Sequence, residues 1–271
     1  MIKNILITGG TRGLGLEYAK YLSTKNYNIG LTDISSTACS VYGEVDSIGT
    51  IIDELTNNNI DCWFEPADLT NIEEAKTMVS KFLERFGAIH GIVANAGGDI
   101  AGLDSDAEGG KAKNNSFEID LEDHRIIFDR NYYTCFNTLK AIIPFMKKQG
   151  FGKVITVSSV NAVFGVKKET AYSVAKAGVL QLTRSLANEL RPYGINVNCI
   201  MPGPVKTGRF LSTLEGRNKH DLEKFDSKSK LDRLANPQDI SPVIEFLLSN
   251  ASDFISGELI RVDGGLFPQP M

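Results

Sequence analysis

Seven short apolar runs alternating with longer helical stretches constrain this chain more than any other feature. The runs are Asn4–Thr8, Asn28–Thr32, Asp61–Glu65, Gly91–Ala94, Lys153–Ser158, Asn196–Ile200 and Leu259–Val262. Several are nearly continuous in Ile, Val and Leu, as strands covered on both faces are. One helix is expected to follow Gly13. Another opens at Thr70-Asn71-Ile72-Glu73, where Thr70 as cap and Glu73 three positions on form a capping box. A long helix covers roughly Leu121–Lys148, with Pro144 near a kink or an end. A further helix spans about Ala171–Leu190, ahead of Arg191-Pro192. Repeated β-α-β units imply a doubly wound parallel sheet with right-handed crossovers and helices on both faces. The chain has 271 residues, 42% of them hydrophobic, and no linker or composition break divides it. One α/β domain over residues 1–271 is the expected organisation.

Composition excludes several function classes. Charged residues make up 23% and the net charge is −4, so no basic surface points to nucleic acid. No apolar run approaches the roughly 20 residues of a membrane helix. The segment Met1–Ile7 runs straight into a strand and does not read as a signal peptide. Cys39, Cys62, Cys135 and Cys199 are scattered, which suits reduced, mostly buried thiols and a cytoplasmic protein. His90, His124 and His220 are equally dispersed, so neither a metal site nor a serine-hydrolase triad is expected. Two regions are irregular. Gly97–Asn115, rich in Gly, Asp and Asn, reads as a loop or lid within an insertion at about 98–118. Leu211–Arg233 is strongly charged and reads as a solvated helical excursion that also forms a flap, at about 205–233.

Thr8-Gly9-Gly10-Thr11-Arg12-Gly13-Leu14-Gly15 follows the first strand and opens the first helix. Gly9 permits a tight turn, Gly13 lets backbone approach a pyrophosphate, and Gly15 lets the helix pack on the sheet. The helix N-terminus offers unpaired N–H groups and a positive dipole end to phosphates. Asp33 closes the second strand, 25 residues after Thr8. A carboxylate there accepts hydrogen bonds from both adenosine ribose hydroxyls and repels a 2′-phosphate, which favours NAD over NADP. Arg12 is the counterweight, since a basic residue beside the phosphates can receive a 2′-phosphate. Asp68, after the third strand, either binds the adenine amino group or shapes the turn before Thr70.

Tyr172 and Lys176 stand four apart in Tyr172-Ser173-Val174-Ala175-Lys176, on one helix face. A phenol has an ordinary pKa of about 10 and is a poor base near neutrality. An ammonium one turn away favours the phenolate and fits the pair for proton exchange with an alcohol. The bland alternative is a surface pair with its stems packed down.

Together these motifs resemble the short-chain dehydrogenase/reductase family, in the branch whose glycine motif reads TGxxxGxG. Asn95-Ala96-Gly97 matches its NAG motif, and Asn131, Ser159, Tyr172 and Lys176 fall where the family has its catalytic set. Pro202-Gly203 with Thr207 resembles its PG segment, and Val262-Asp263-Gly264-Gly265 its C-terminal VDGG. The resemblance implies a Rossmann-type seven-stranded sheet and an NAD- or NADP-dependent oxidoreductase acting on CH–OH groups. It implies Tyr172 as general acid/base, Lys176 as the group that lowers its pKa and holds the nicotinamide ribose, and Ser159 as partner of the substrate oxygen. Ser159 is preferred to Ser158 because it stands 13 residues before Tyr172. Asn131 is implied as a water-linked relay to Lys176, or else as a helix-kinking Asn with a backbone partner. Thr11, Leu14, Leu69, Asn95, Ala96, Gly97, Pro202, Gly203, Val205 and Thr207 complete the implied cofactor set. Ala94 stands where the family often has Asn, which implies one hydrogen bond fewer.

The same resemblance draws the substrate pocket from the segments after Gly97, Ser159 and Gly203. Here these bring Asp99, Asn161, Phe164, Lys167, Lys168 and Glu169. Such polar groups suit a sugar, polyol or hydroxy acid. A 3-oxoacyl thioester is the alternative, its pantetheine phosphate meeting the basic flap, and a nucleotide-binding scaffold or sensor without turnover is a third. A homotetramer or dimer is implied, with the apolar residues of Ile126–Phe145 and Val179–Leu190 packing across a two-fold axis. Those residues equally suit core-facing stripes.

Overall fold

The computed structural model describes residues 2–100, 116–212 and 229–267. Strand β1 (Lys3–Thr8) leads into helix α1 (Gly13–Ser23) and β2 (Tyr27–Asp33). Then come α2 (Ile48–Thr56), β3 (Cys62–Pro66), α3 (Ile72–Phe86) and β4 (Gly91–Ala94). Helices α4 (Leu121–Phe128) and α5 (Thr134–Gln149) precede β5 (Gly152–Val157), α6 (Thr170–Leu190) and β6 (Ile195–Pro202). A short α7 (Gly208–Ser212), α8 (Ser241–Leu248) and β7 (Leu259–Val262) complete the described chain. Most of the expected insertion, residues 101–115, and most of the expected flap, residues 213–228, lie outside the described residues.

All seven strands form one parallel sheet in the order β3-β2-β1-β4-β5-β6-β7. Alternation along β1 shows why its residues are apolar throughout. Ile5 and Ile7 join a core with α1, α2 and α8, whereas Leu6 joins the opposite core with α3, α5 and α6. All three are fully buried. Each such side chain contributes about 1.5–3 kcal/mol when taken from water, so neither face can be left bare.

Two expectations need correction. Helix α3 begins at Ile72, and its cap is Asn71, whose side chain accepts from Glu73 N–H at 3.0 Å. Thr70 instead donates its hydroxyl to Asp68 at 2.7 Å, because the Asp68 carboxylate reaches it before any helical amide does. The long helix expected at Leu121–Lys148 is also not uniform. It contains a π turn at Asp129–Tyr133 between α4 and α5, and Pro144 sits inside α5. The extra residue per turn coincides with Asn131, whose amide donates to Ile127 O at 2.7 Å. An Asn71→Ala variant is expected to lose about 1 kcal/mol in urea unfolding, the usual worth of an N-cap. A matching Thr70→Ala variant is expected to lose less; equal losses would restore Thr70 as the cap.

Candidate active site

The sheet changes its direction of winding between β1 and β4, and the carboxyl ends of neighbouring strands part there to leave a crevice. The crevice holds a cleft of about 850 Å³. Thr8 and Asn95 lock its floor. Thr8 Oγ1 accepts from Asn95 N–H at 3.0 Å and Ala96 N–H at 2.9 Å. The Asn95 amide donates to Thr8 O and Gly9 O, both at 3.1 Å. Gly15 of α1 fits against this lock only without a side chain, since a Cβ there would stand 2.0 Å from Gly9 O.

Asp33 lines the far end of the cleft. Its Oδ2 accepts from Thr11 Oγ1 at 2.7 Å and its Oδ1 from Ile34 N–H at 2.9 Å. The Arg12 guanidinium lies 3.9 Å from Asp33 Oδ1 and 5.5 Å over the Tyr42 ring. Asp68 also lines the cleft, and its Oδ1 shapes the turn by accepting from Thr70 N–H at 2.9 Å and Thr70 Oγ1 at 2.7 Å. The positive end of α1, the close approach at Gly15 and the Asp33 carboxylate fit a dinucleotide. Gly9, Gly13, Leu14, Leu69, Ala96, Gly97, Pro202, Gly203, Val205 and Thr207 line the same cleft.

The near end gathers Ser159, Tyr172 and Lys176. Ser159 Oγ accepts from Asn161 N–H at 3.2 Å and acts on the Tyr172 phenol, while Ser158 is spent on the backbone, donating to Lys176 O at 2.8 Å. Lys176 is buried; its Nζ donates to Val157 O at 2.9 Å and lies 5.8 Å from the Tyr172 ring centre. Asn131 is fully buried, accepting from Gly98 N–H and donating to Gly98 O, each at 2.9 Å. A side chain on Gly97 would meet Asn131 Oδ1 at 2.7 Å and Lys176 Nζ at 3.2 Å. The amide thus fixes the turn that faces the ammonium.

Burial governs the charges here. Desolvation pushes the Tyr172 phenol up to about 12, against the pull of Arg209 and the Ser159 hydrogen bond, with Glu169 and Asp99 adding to the rise. It lowers the Lys176 ammonium to about 8. In the protein alone desolvation sets the phenol, and the charge that opposes it is Arg209 rather than Lys176.

Of the residues expected in the site, Thr11, Gly15 and Asn131 stand behind the lining rather than in it. Asp99, Asn161 and Glu169 line the substrate end, whereas Lys167 and Lys168 are exposed outside it. Phe164 is also set back, stacked at 4.3 Å on Phe267, and Phe267 is the aromatic face that lines the cleft. Sequence reasoning missed Phe267, Arg130, Arg209 and Glu44, all of which line the cleft. Arg209 follows Thr207 by two residues, and that adjacency was the available signal. Glu44 carries no motif.

A doubly wound sheet with a switch-point cleft of this kind defines a dinucleotide-binding class of protein. Residues 9–267 match the family model described as enoyl-(acyl carrier protein) reductase. The chain is 32% identical over 270 residues to a cyclohexanol dehydrogenase of Rhodococcus sp. (strain TK6), covering 97% of this chain and 96% of the relative. It is also 32% identical over 266 residues to a 3-oxoacyl-(acyl-carrier-protein) reductase of Buchnera aphidicola, covering 98% and 97%. A 7α-hydroxysteroid dehydrogenase solved with NADH and 7-oxo glycochenodeoxycholic acid superposes with a TM-score of 0.83 at 26% identity, covering 97% of this chain and 93% of that one. The chain belongs to the short-chain dehydrogenase/reductase family.

The Lys176 shift has a consequence for stability. Between about 8 and its ordinary value of 10.5 the unfolded chain holds this proton and the folded one does not. Lys176 therefore makes stability rise with pH across that window, and contributes no slope below it. Urea unfolding at a series of pH values is expected to show wild type gaining on Lys176→Met from pH 8 to 10.5. A constant difference would contradict the burial of a titrating ammonium.

Proposed function

We propose that this enzyme interconverts a secondary alcohol and a ketone with NAD, on a small polar substrate such as a sugar, polyol or hydroxy acid. The observation that carries the reading is the convergence of Ser159, Tyr172 and Lys176 at one end of a cleft whose other end is Asp33. Bound nicotinamide supplies hydride transfer and, when oxidised, a positive charge beside the phenol. In the oxidative direction Tyr172 Oη accepts the alcohol proton, and in the reductive direction it returns one to the carbonyl oxygen. Ser159 holds that oxygen by hydrogen bonding. Lys176 holds the nicotinamide ribose and steadies the phenolate. Asn131 acts as a positioning residue, holding the Gly97-Gly98 turn against Lys176. Bringing the phenol from about 12 to near neutrality needs roughly 7 kcal/mol at about 1.36 kcal/mol per unit. The cofactor's cation, added to Lys176 and Arg209 in a desolvated cleft, is the source this reading assigns.

NAD is favoured because Asp33 presents a carboxylate where a 2′-phosphate would lie, and Arg12 is drawn onto that carboxylate and the Tyr42 ring. The structural relative solved with NADH is in keeping with this. Asp99, Asn161, Glu169 and Arg209 at the reacting end favour a polar substrate. The reductase relative and the Phe164–Phe267 wall support a second reading, a 3-oxoacyl thioester. Exposed Phe145 on α5 and Val174 on α6 fit assembly into a homo-oligomer.

Tyr172→Phe is expected to lose at least about 100-fold in kcat, the usual range for a general acid/base. Retained turnover with any substrate of the wild type would contradict the mechanism. Asp33→Ala is expected to narrow the NAD over NADP preference roughly tenfold, the worth of about one charge-assisted hydrogen bond. A steady-state comparison with both cofactors reads this, and an unchanged ratio would assign the choice to Arg12. A pooled screen of polyols, sugars, hydroxy acids and acyl thioesters decides between the two substrate readings.

A further inference from the structure

The crossing from β2 to α2 lays a wall along the cleft, and that wall ends in a carboxylate. Glu44 Oε2 accepts from Gly13 N–H at 2.7 Å. Its Oε1 accepts from Gly208 N–H at 2.6 Å. Gly13 opens α1, where amides lack intrahelical partners and the positive dipole end attracts an anion. Gly208 opens α7, directly after Thr207. The carboxylate has room only because Gly208 carries no side chain. A Cβ there would stand 2.8 Å from Glu44 Oε1 and 2.9 Å from its Cγ. The backbone of Gly208 lies outside the left-handed region, so conformation alone does not demand glycine. The Thr207 side chain lies 3.8 Å from where a Cβ on Gly13 would be, so the segments that the carboxylate bridges are close neighbours.

A carboxylate and a phosphate ask for the same thing: N–H donors and positive potential. They cannot share one pair of donors, because two anions at hydrogen-bond separation repel. The established role of the α1 N-terminus in such a cleft is to receive the dinucleotide's phosphates.

We propose that Glu44 is a built-in stand-in for the cofactor's pyrophosphate: its carboxylate clasps α1 to α7 by taking the Gly13 and Gly208 amides, and the dinucleotide binds by displacing it. The inference rests on the dinucleotide reading of the cleft. Glu44 then sets cofactor affinity without contributing a contact to the bound state. Displacement also frees Gly208, and with it the start of the segment that bears Arg209 at the substrate end. Cofactor entry and the mouth of the substrate pocket are coupled through one side chain.

Calorimetric titration of wild type, Glu44→Gln and Gly208→Ala with NAD, ADP and adenosine tests this. Glu44→Gln removes the charge, and Gly208→Ala evicts the carboxylate from the other side. Both variants are expected to bind NAD and ADP about three- to tenfold more tightly, as the loss of one competing charge-assisted hydrogen bond predicts. Adenosine, which has no phosphate, is expected to bind all three proteins equally. Unchanged or weaker NAD binding in Glu44→Gln overturns the clasp, as does an equal gain for adenosine. Should Gly208→Ala fail to fold, the Glu44→Gln titrations decide alone. If none of the proteins binds NAD, the dinucleotide reading itself fails, and the clasp falls with it.

Discussion

The lock between Thr8 and Asn95 is the contact on which the rest depends. Four hydrogen bonds tie the carboxyl ends of β1 and β4, the two strands where the winding of the sheet reverses. The crevice has to open at that place, since the chain leaves β1 and β4 toward opposite faces. Core packing of Leu16, Tyr18 and Leu22 seats α1 on the sheet, and the lock fixes where its amino end meets the cleft. With it, Gly15 seats against Gly9 O, and the amino end of α1 points into the cleft. The lock is extended by Asn131, which joins the next turn, at Gly98, to the π turn between α4 and α5. Cofactor end and reacting end are thus held by one continuous set of side-chain to backbone bonds.

Against this rigid floor the charges are poised rather than satisfied. Burial drives a phenol and an ammonium toward their neutral forms, Tyr172 upward and Lys176 downward. The neutral phenol suits giving a proton to a carbonyl oxygen, whereas the phenolate that takes one from an alcohol is held back. The polar wall of Asp99 and Glu169 holds Tyr172 further up, and Arg209 works in the other direction. In the oxidative direction such a site would gain its base once another positive charge is added, which oxidised nicotinamide would supply. Glu44 stands at the other end of the same passage, on the amides that phosphates would take.

The strands were legible because burial on both faces writes continuous apolar runs, and all seven appeared within a residue or two of their expected bounds. The glycine turn and the Tyr172–Lys176 spacing were legible because each is a local pattern whose geometry is set within one turn of chain. What escaped depends on competition between neighbours. Thr70 and Asn71 are both good caps, and the choice fell to Asn71 only because Asp68 captures the Thr70 hydroxyl. The π turn at Asn131 follows from a side chain preferring Ile127 O and Gly98 to solvent, a preference no periodicity records. Glu44 and Phe267 enter the cleft from distant segments through tertiary packing, and neither sits in a patterned stretch. The phenol's upward displacement likewise needs the depth of the pocket, which spacing along a helix does not report.

The central claim is that a buried phenol is held protonated by the protein and released by the cofactor. Ultraviolet titration of tyrosinate in wild type and Tyr172→Phe, with and without saturating NAD, measures this directly. The account predicts a step near pH 12 in the free protein that belongs to Tyr172 and moves toward neutrality when NAD is bound. A Tyr172 step that stays where it is when NAD saturates the protein would contradict it.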